Sequence, residues 1–280
     1  MAALTIAAAC EASGRITGVG GVQPSDGSRY PGFDIGIYPG DATLAAWRFP
    51  TSPYYWVGYY LAAPCHRDVT WMGKYSRVTS QGWGTALLYV GQQDWSNIPN
   101  EAPAAFSRSA VLRPEYNSAL AVTCSATLLT ASQGTAEGAD AATKAASEGF
   151  PTGTAIFLDV EYVTTVTQPL RDYIAAWTAA VLADGRYRGA IYGAKANAQT
   201  LYDAVLGAYT AAGRHDAPPF WVASVTGFSI DRLPTDVGLT FATVWQGRFD
   251  VSESWGGITN IIEVDVAASP SPSASAAATP

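Results

Sequence analysis

Charge is scarce in this chain. Only 14% of its 280 residues are Asp, Glu, Lys or Arg, and acids outnumber bases 23 to 16, for a net charge of −7. The bases form no patch, which argues against a nucleic-acid partner, because contacts to phosphate supply most of that affinity. Histidine is rarer still, with His66 and His215 the only two. Neither sits in a setting that suggests a Ser-His-Asp triad. The three cysteines, Cys10, Cys65 and Cys124, have no C-x-x-C spacing, so no zinc-ligand pattern exists and no metal is expected. Long apolar runs are missing too. None approaches the ~20 residues of a membrane-spanning helix, and no transmembrane segment is expected. Met1–Ala9 is apolar but short and has no basic residue before it, a poor signal peptide that can equally be the stub of a trimmed one.

What is present is core material. Hydrophobic residues make up 48% of the chain, with 15 Tyr and 9 Trp, which excludes disorder for its bulk. Residues 1–29 are Gly-rich and read as an arm. From Tyr30 short apolar runs begin, centred near residues 33, 57, 87, 157, 191, 222, 244 and 264. Apolar runs of this length suit buried parallel strands. Helical spacing follows each of the first five, over Asp41–Trp47 (with Asp41 as its N-cap), Asp68–Gln81, Ala136–Glu148, Pro169–Ala183 and Lys195–Leu206. Eight strands over residues 30–268 match a (β/α)8 TIM-type barrel, irregular in its last three units where helical signals fade. A doubly wound open sheet is the alternative, but no G-x-G-x-x-G follows the first strand, and no cofactor is expected.

Two segments stand apart. Residues 96–133 are too long for an ordinary connection and read as an insertion. Residues 269–280 are Ser/Pro/Ala low complexity, the composition of a disordered tail. Cys65 and Cys124 read either as two buried thiols or as a disulfide tying two loops, with Cys10 left over.

The chemistry gathers around Gly153–Tyr162. Ala155–Leu158 is apolar on both faces, and then Asp159 and Glu161 follow two residues apart. On a strand those positions share a face, so both carboxylates enter one space. They are either an acid/base pair or a structural ion pair. In a barrel the site lies at the carboxyl ends of the strands, where Asp34, Tyr192, Trp221, Trp245, Gln246 and Asp265 would join them, with Trp95 just past the third strand. Glu263 shares the parity of Asp265. Acids beside aromatic faces suit a sugar: rings stack on pyranose C–H surfaces, and carboxyls do acid/base work at a glycosidic bond. An acid-rich mouth can also hold a divalent cation. Trp56, Trp71, Trp83 and Trp177, in apolar settings, read as core.

Taken in order, Gly32-Phe33-Asp34, Phe157-Leu158-Asp159-Val160-Glu161-Tyr162, Ile191-Tyr192-Gly193, Phe220-Trp221-Val222-Ala223, Trp245-Gln246 and Val264-Asp265-Val266 resemble the strand motifs of Chalaropsis-type muramidases, the barrel lysozymes of glycoside hydrolase family 25. Together with Tyr89-Val90-Gly91-Gln92-Gln93, they are more similar to the actinobacterial glycoside-hydrolase-like domain of secreted mycobacterial and streptomycete proteins. The resemblance implies Glu161 as general acid, Asp159 as the group orienting the substrate's acetamido group or stabilising positive charge, and Asp34 and Asp265 as supporting carboxylates. It implies a carbohydrate partner in the cell wall and a secreted or cell-envelope location. Turnover of peptidoglycan or a related N-acetylated glycan is the first reading, and glycan binding without turnover is the second. A monomer is expected. Gly247 stands where those lysozymes tend to carry an aromatic residue.

Overall fold

The computed structural model describes residues 29–48, 50–94 and 123–274. Its elements are β1 (Tyr30–Asp34), α1 (Asp41–Trp47), β2 (Trp56–Tyr60), α2 (Tyr75–Ser80), β3 (Gly84–Val90), α3 (Ala131–Glu148), β4 (Ala155–Asp159), α4 (Gln168–Ala183), β5 (Arg188–Ala194), α5 (Ala198–Ala211), β6 (Phe220–Ala223), β7 (Ala242–Trp255) and β8 (Ile258–Ala267). The strands close into a barrel in sequence order. β1 to β7 run parallel, as strands joined by crossover connections should. The irregularity expected at the end takes a definite form. A short 3₁₀ turn at Pro234–Val237 replaces a helix between β6 and β7, and β8 is antiparallel to both β7 and β1. A tight turn at Gly256-Gly257 joins β7 to β8, so this last unit is a hairpin rather than a β/α pair.

Strand alternation sorts side chains into two populations. Trp56, Phe157, Tyr192 and Trp221 meet edge to face inside the barrel, with ring centroids 5.5–5.7 Å apart. Two glycines make the interior possible. A Cβ on Gly32 would lie 2.1 Å from the Trp56 ring, and one on Gly58 would lie 2.5 Å from the Cβ of Asp34. On the outer face Phe33 packs against Trp47, Tyr54 and Trp83 under α1. Trp56, Trp71, Trp83 and Trp177 are all buried, as core tryptophans.

Some local expectations shift. Gly40, not Asp41, is the N-cap of α1, and Asp41 is its first residue, accepting from Tyr38 and Arg77. α2 is shorter than its periodicity suggested, and α3 begins earlier, where the Thr130 hydroxyl caps it through Gln133 N. Cys65 and Cys124 form a disulfide across 59 residues.

The tail departs from its composition. Residues 269–274 are ordered across the barrel floor. The Ser273 hydroxyl accepts from Leu87 N at 2.7 Å, its N–H donates to Thr85 O at 3.1 Å, and its carbonyl accepts from Ala155 N at 2.7 Å. Strand ends at the floor carry donors and acceptors that no neighbour meets, and a Ser-rich segment supplies partners for them. Residues 275–280 lie outside the described residues.

Candidate functional site

The carboxyl ends of the strands gather the acids. Asp34 closes β1 and Asp159 closes β4, with Glu161 two residues beyond. Because β8 runs the other way, the acid opposite Asp34 is Glu263, while Asp265 pairs with Gly32 one step deeper. Asp265, expected as a supporting carboxylate on the floor of the pocket, lies at that depth, fully buried and accepting from Trp221 Nε1 at 3.0 Å. Glu263 takes its place at the rim. The alternation Glu263-Val264-Asp265 puts both acids on one face, but the direction of the strand is invisible in it.

One amide joins the acids. Gln246 Nε2 donates to Asp34 Oδ2 at 2.7 Å and to Glu263 Oε2 at 2.6 Å, and its Oε1 accepts from the Tyr192 hydroxyl at 2.6 Å. Both amide hydrogens go to carboxylates and the oxygen to a phenol, which fixes the orientation of the side chain. Tyr60, unnoticed in the sequence, donates its hydroxyl to Asp34 Oδ1 at 2.5 Å. Burial, followed by the surrounding carboxylates, pushes Tyr60 and Tyr192 well above the ordinary phenol range, so both remain donors.

Asp159 is 7% exposed, and its Oδ1 is buried without a hydrogen-bond partner. Burial, then the charges of Glu161 and Asp34, push its carboxyl well above the usual range. Asp265 is raised in the same direction by burial, then by Asp34 and Glu263. Glu161 is the more open of the β4 pair, half-buried where Asp159 is buried. A carboxyl that titrates high and a neighbour at the surface of the same mouth are the ingredients of acid/base chemistry. Among the described residues, no group of three or more His, Cys, Asp or Glu side chains is placed to hold a metal ion.

The aromatic residues divide. Tyr192 lies in the acid network. Trp221 is completely buried beneath it and serves as floor rather than as an open stacking face. Trp245, expected beside Gln246 in the mouth, has the opposite parity: it points outward, donates to Ser224 O at 2.7 Å and meets Phe228 edge to face. Phe228 also lies over Gly247, 1.9 Å from where a Cβ would sit, so a ring from the β6–β7 loop fills the space beside that glycine. Trp95 lies outside the described residues. Gln93, also missed, contacts the backbone of both β4 acids.

A family model described as "Rv2525c-like, glycoside hydrolase-like domain" matches residues 45–268, a span holding every site residue above except Asp34. Among solved structures, an uncharacterized protein of B. stearothermophilus gives a TM-score of 0.51 at 12% identity, covering 85% of this chain and 95% of that one. The modular autolysin LytC from Streptococcus pneumoniae gives 0.52 at 12% identity, covering 85% of this chain and 46% of LytC. LytC in complex with a synthetic peptidoglycan ligand gives 0.51, also at 12% identity. At such identities the likeness to solved structures establishes a shared fold alone. No curated protein matches the sequence.

Proposed function

The chain belongs to the family of Rv2525c-like, glycoside hydrolase-like domains, and on that premise we propose that it hydrolyses peptidoglycan or a related N-acetylated glycan by carboxyl acid/base catalysis. The observation that carries this reading is the gathering of Asp34, Asp159, Glu161 and Glu263 at one mouth of the barrel, with Asp34 and Glu263 bridged by the Gln246 amide. Glu161, half-buried like Glu263 and placed beside Asp159, gives its proton to the glycosidic oxygen. The C–O bond then breaks with its electron pair on that oxygen, leaving positive charge on the sugar ring; water adds to the ring carbon and its proton returns to the Glu161 carboxylate. Negative charge on Asp34 and Glu263 stabilises that cation. Asp159 orients the substrate's acetamido group or adds to the stabilisation of that charge. LytC, which shares the barrel, binds a synthetic peptidoglycan ligand, in keeping with this substrate class.

The protein works outside the reducing cytoplasm, in the envelope or beyond it. The Cys65–Cys124 disulfide supports this, since such bonds persist in oxidising compartments.

One observation favours a second reading, glycan binding without turnover. Asp34 and Asp265 are 2% and 0% exposed and held by protein donors, which leaves the half-buried Glu161 and Glu263 as the more open acids of the mouth. Incubation with purified peptidoglycan separates the two. Release of new reducing ends by the wild type, falling about 10²–10⁴-fold in Glu161→Gln, supports hydrolysis. Binding with no reducing ends from the wild type establishes the second reading in its place.

A further inference from the structure

β3 and β4 pair as parallel strands only as far as Val90 opposite Asp159. β3 itself ends at Val90, and at Gly91 the Tyr173 hydroxyl lies 2.3 Å from the position a Cβ would occupy. Glu161 therefore falls past the last backbone pairing on that side. On the other side, Val160 N still donates to Tyr192 O at 3.1 Å. The gap on the β3 side is filled by a side chain. Gln93, 1% exposed, donates from Nε2 to Asp159 O at 2.8 Å and accepts at Oε1 from Glu161 N at 3.0 Å.

This pattern has a backbone counterpart. In a parallel ladder, one residue's N–H reaches the carbonyl before, and its C=O the N–H after, the residue it faces. The Gln93 carboxamide does the same around Val160. It stands in for a strand residue and carries the β4 pleat two positions further. The consequence is geometric: as long as the pleat continues, residues 159 and 161 project to one face.

We infer that Gln93 is a positioning residue that keeps Asp159 and Glu161 on the same side of the mouth by acting as a surrogate strand for the end of β4. Its catalytic consequence rests on the glycosidase reading above; its structural role does not. Its neighbour Gln92 faces elsewhere, bonding Glu137, Thr123 O and Ser125 N, and ties the end of the insertion to α3. Adjacent glutamines thus serve two separate tasks.

The test uses Gln93→Leu, which removes both bonds, and Gln93→Glu, which keeps the acceptor and loses the donor. Two readouts are taken on the full chain: turnover of purified peptidoglycan across pH, and carboxyl ¹³C titrations of Asp159 and Glu161 by NMR. The inference expects kcat to fall on the order of 10–100-fold in Gln93→Leu, the size of effect a 1 Å misplacement produces, with KM nearly unchanged. It expects the mutual dependence of the Asp159 and Glu161 titrations to weaken. In Gln93→Glu the added negative charge moves the pH optimum upward. Wild-type kcat, pH profile and titrations in Gln93→Leu would overturn the inference. If the wild type itself releases no reducing ends, the glycosidase reading falls, and the titrations still decide the role of Gln93. If Gln93→Leu does not fold, the same measurements on Gln93→Glu decide it.

Discussion

Asp34 and Glu263 face each other across the antiparallel β1–β8 pairing, and each accepts one hydrogen from the same amide nitrogen of Gln246. Two buried or half-buried acids side by side repel unless donors separate them. Gln246→Leu removes both donors and also strands the Tyr192 hydroxyl. At roughly 1–3 kcal/mol for each unsatisfied buried group, the loss of stability should exceed about 2 kcal/mol at pH 7. Urea unfolding measures it. The loss should shrink at low pH, where protonated carboxyls no longer repel. A Gln246→Leu variant as stable as the wild type at pH 7 would show that Gln246 does not hold the two acids together.

Asp265 sits beneath that pair, fully buried, its carboxyl held well above the usual range by burial and by its neighbours. A carboxyl whose pKa is raised in the folded state makes folding less favourable as pH rises between its unfolded and folded values, because there the folded state holds a proton that the unfolded state has released. Its contribution is full below the ordinary carboxylate pKa of 3.8 and is lost as pH rises from there through the folded value. Asp265→Asn removes this titration and keeps an oxygen for Trp221 Nε1. The variant should therefore gain stability relative to the wild type as pH rises above about 4. Tm measured from pH 4 to pH 8 checks the sign, and a variant Tm that falls relative to the wild type with rising pH would contradict it.

These two acids also show how far the sequence could be read. The period-2 pattern of Ile261–Val266 and the shared face of Asp159 and Glu161 were legible, because strand parity is local. So was the eightfold count of apolar runs. The direction of β8 was not, since alternation reads the same both ways; it decides that Glu263, rather than Asp265, reaches the rim. Trp245 and Gln246 end the same strand, but neighbours on a strand point to opposite faces, so only one of them can enter the mouth. Gln93 stood in a quoted motif but its role did not, and Tyr60 left no motif, because both roles come from long-range partners: a backbone 66 residues away for Gln93 and a carboxylate 26 residues away for Tyr60. The tail misled for a different reason. Ser/Pro/Ala composition signals a lack of apolar anchors, and Ser273 is anchored by hydrogen bonds alone.

The Cys65–Cys124 disulfide closes a loop spanning 59 residues between the β2–α2 connection and the end of the insertion. On the chain-entropy account, a loop of this length confers about 4 kcal/mol by restricting the unfolded chain, and measured values run from about 2 to 4 kcal/mol. Replacing both cysteines by serine should lower stability by that amount in denaturant titrations. The insertion end keeps its second tether, Gln92 to Thr123 O and Ser125 N, so folding itself should survive. A double variant with the wild-type midpoint would mean that the unfolded chain gains no freedom from losing the bond.

Ser273 offers the sharpest test of the floor. Its hydroxyl is the partner of Leu87 N, and its backbone meets Thr85 O and Ala155 N. The residue is 1% exposed, so water cannot replace the hydroxyl without rearrangement. Ser273→Ala should cost about 1–3 kcal/mol, the penalty of one orphaned buried donor. Truncation after Ala268 removes all three bonds but opens the floor to water, which rehydrates the strand ends. The truncation should therefore cost less than three times the single substitution. Hydrogen exchange distinguishes the cases: the Leu87 amide should lose protection in both variants, and the Ala155 amide only in the truncation. Full protection of Leu87 in Ser273→Ala would show that the tail is packed against the floor without holding it.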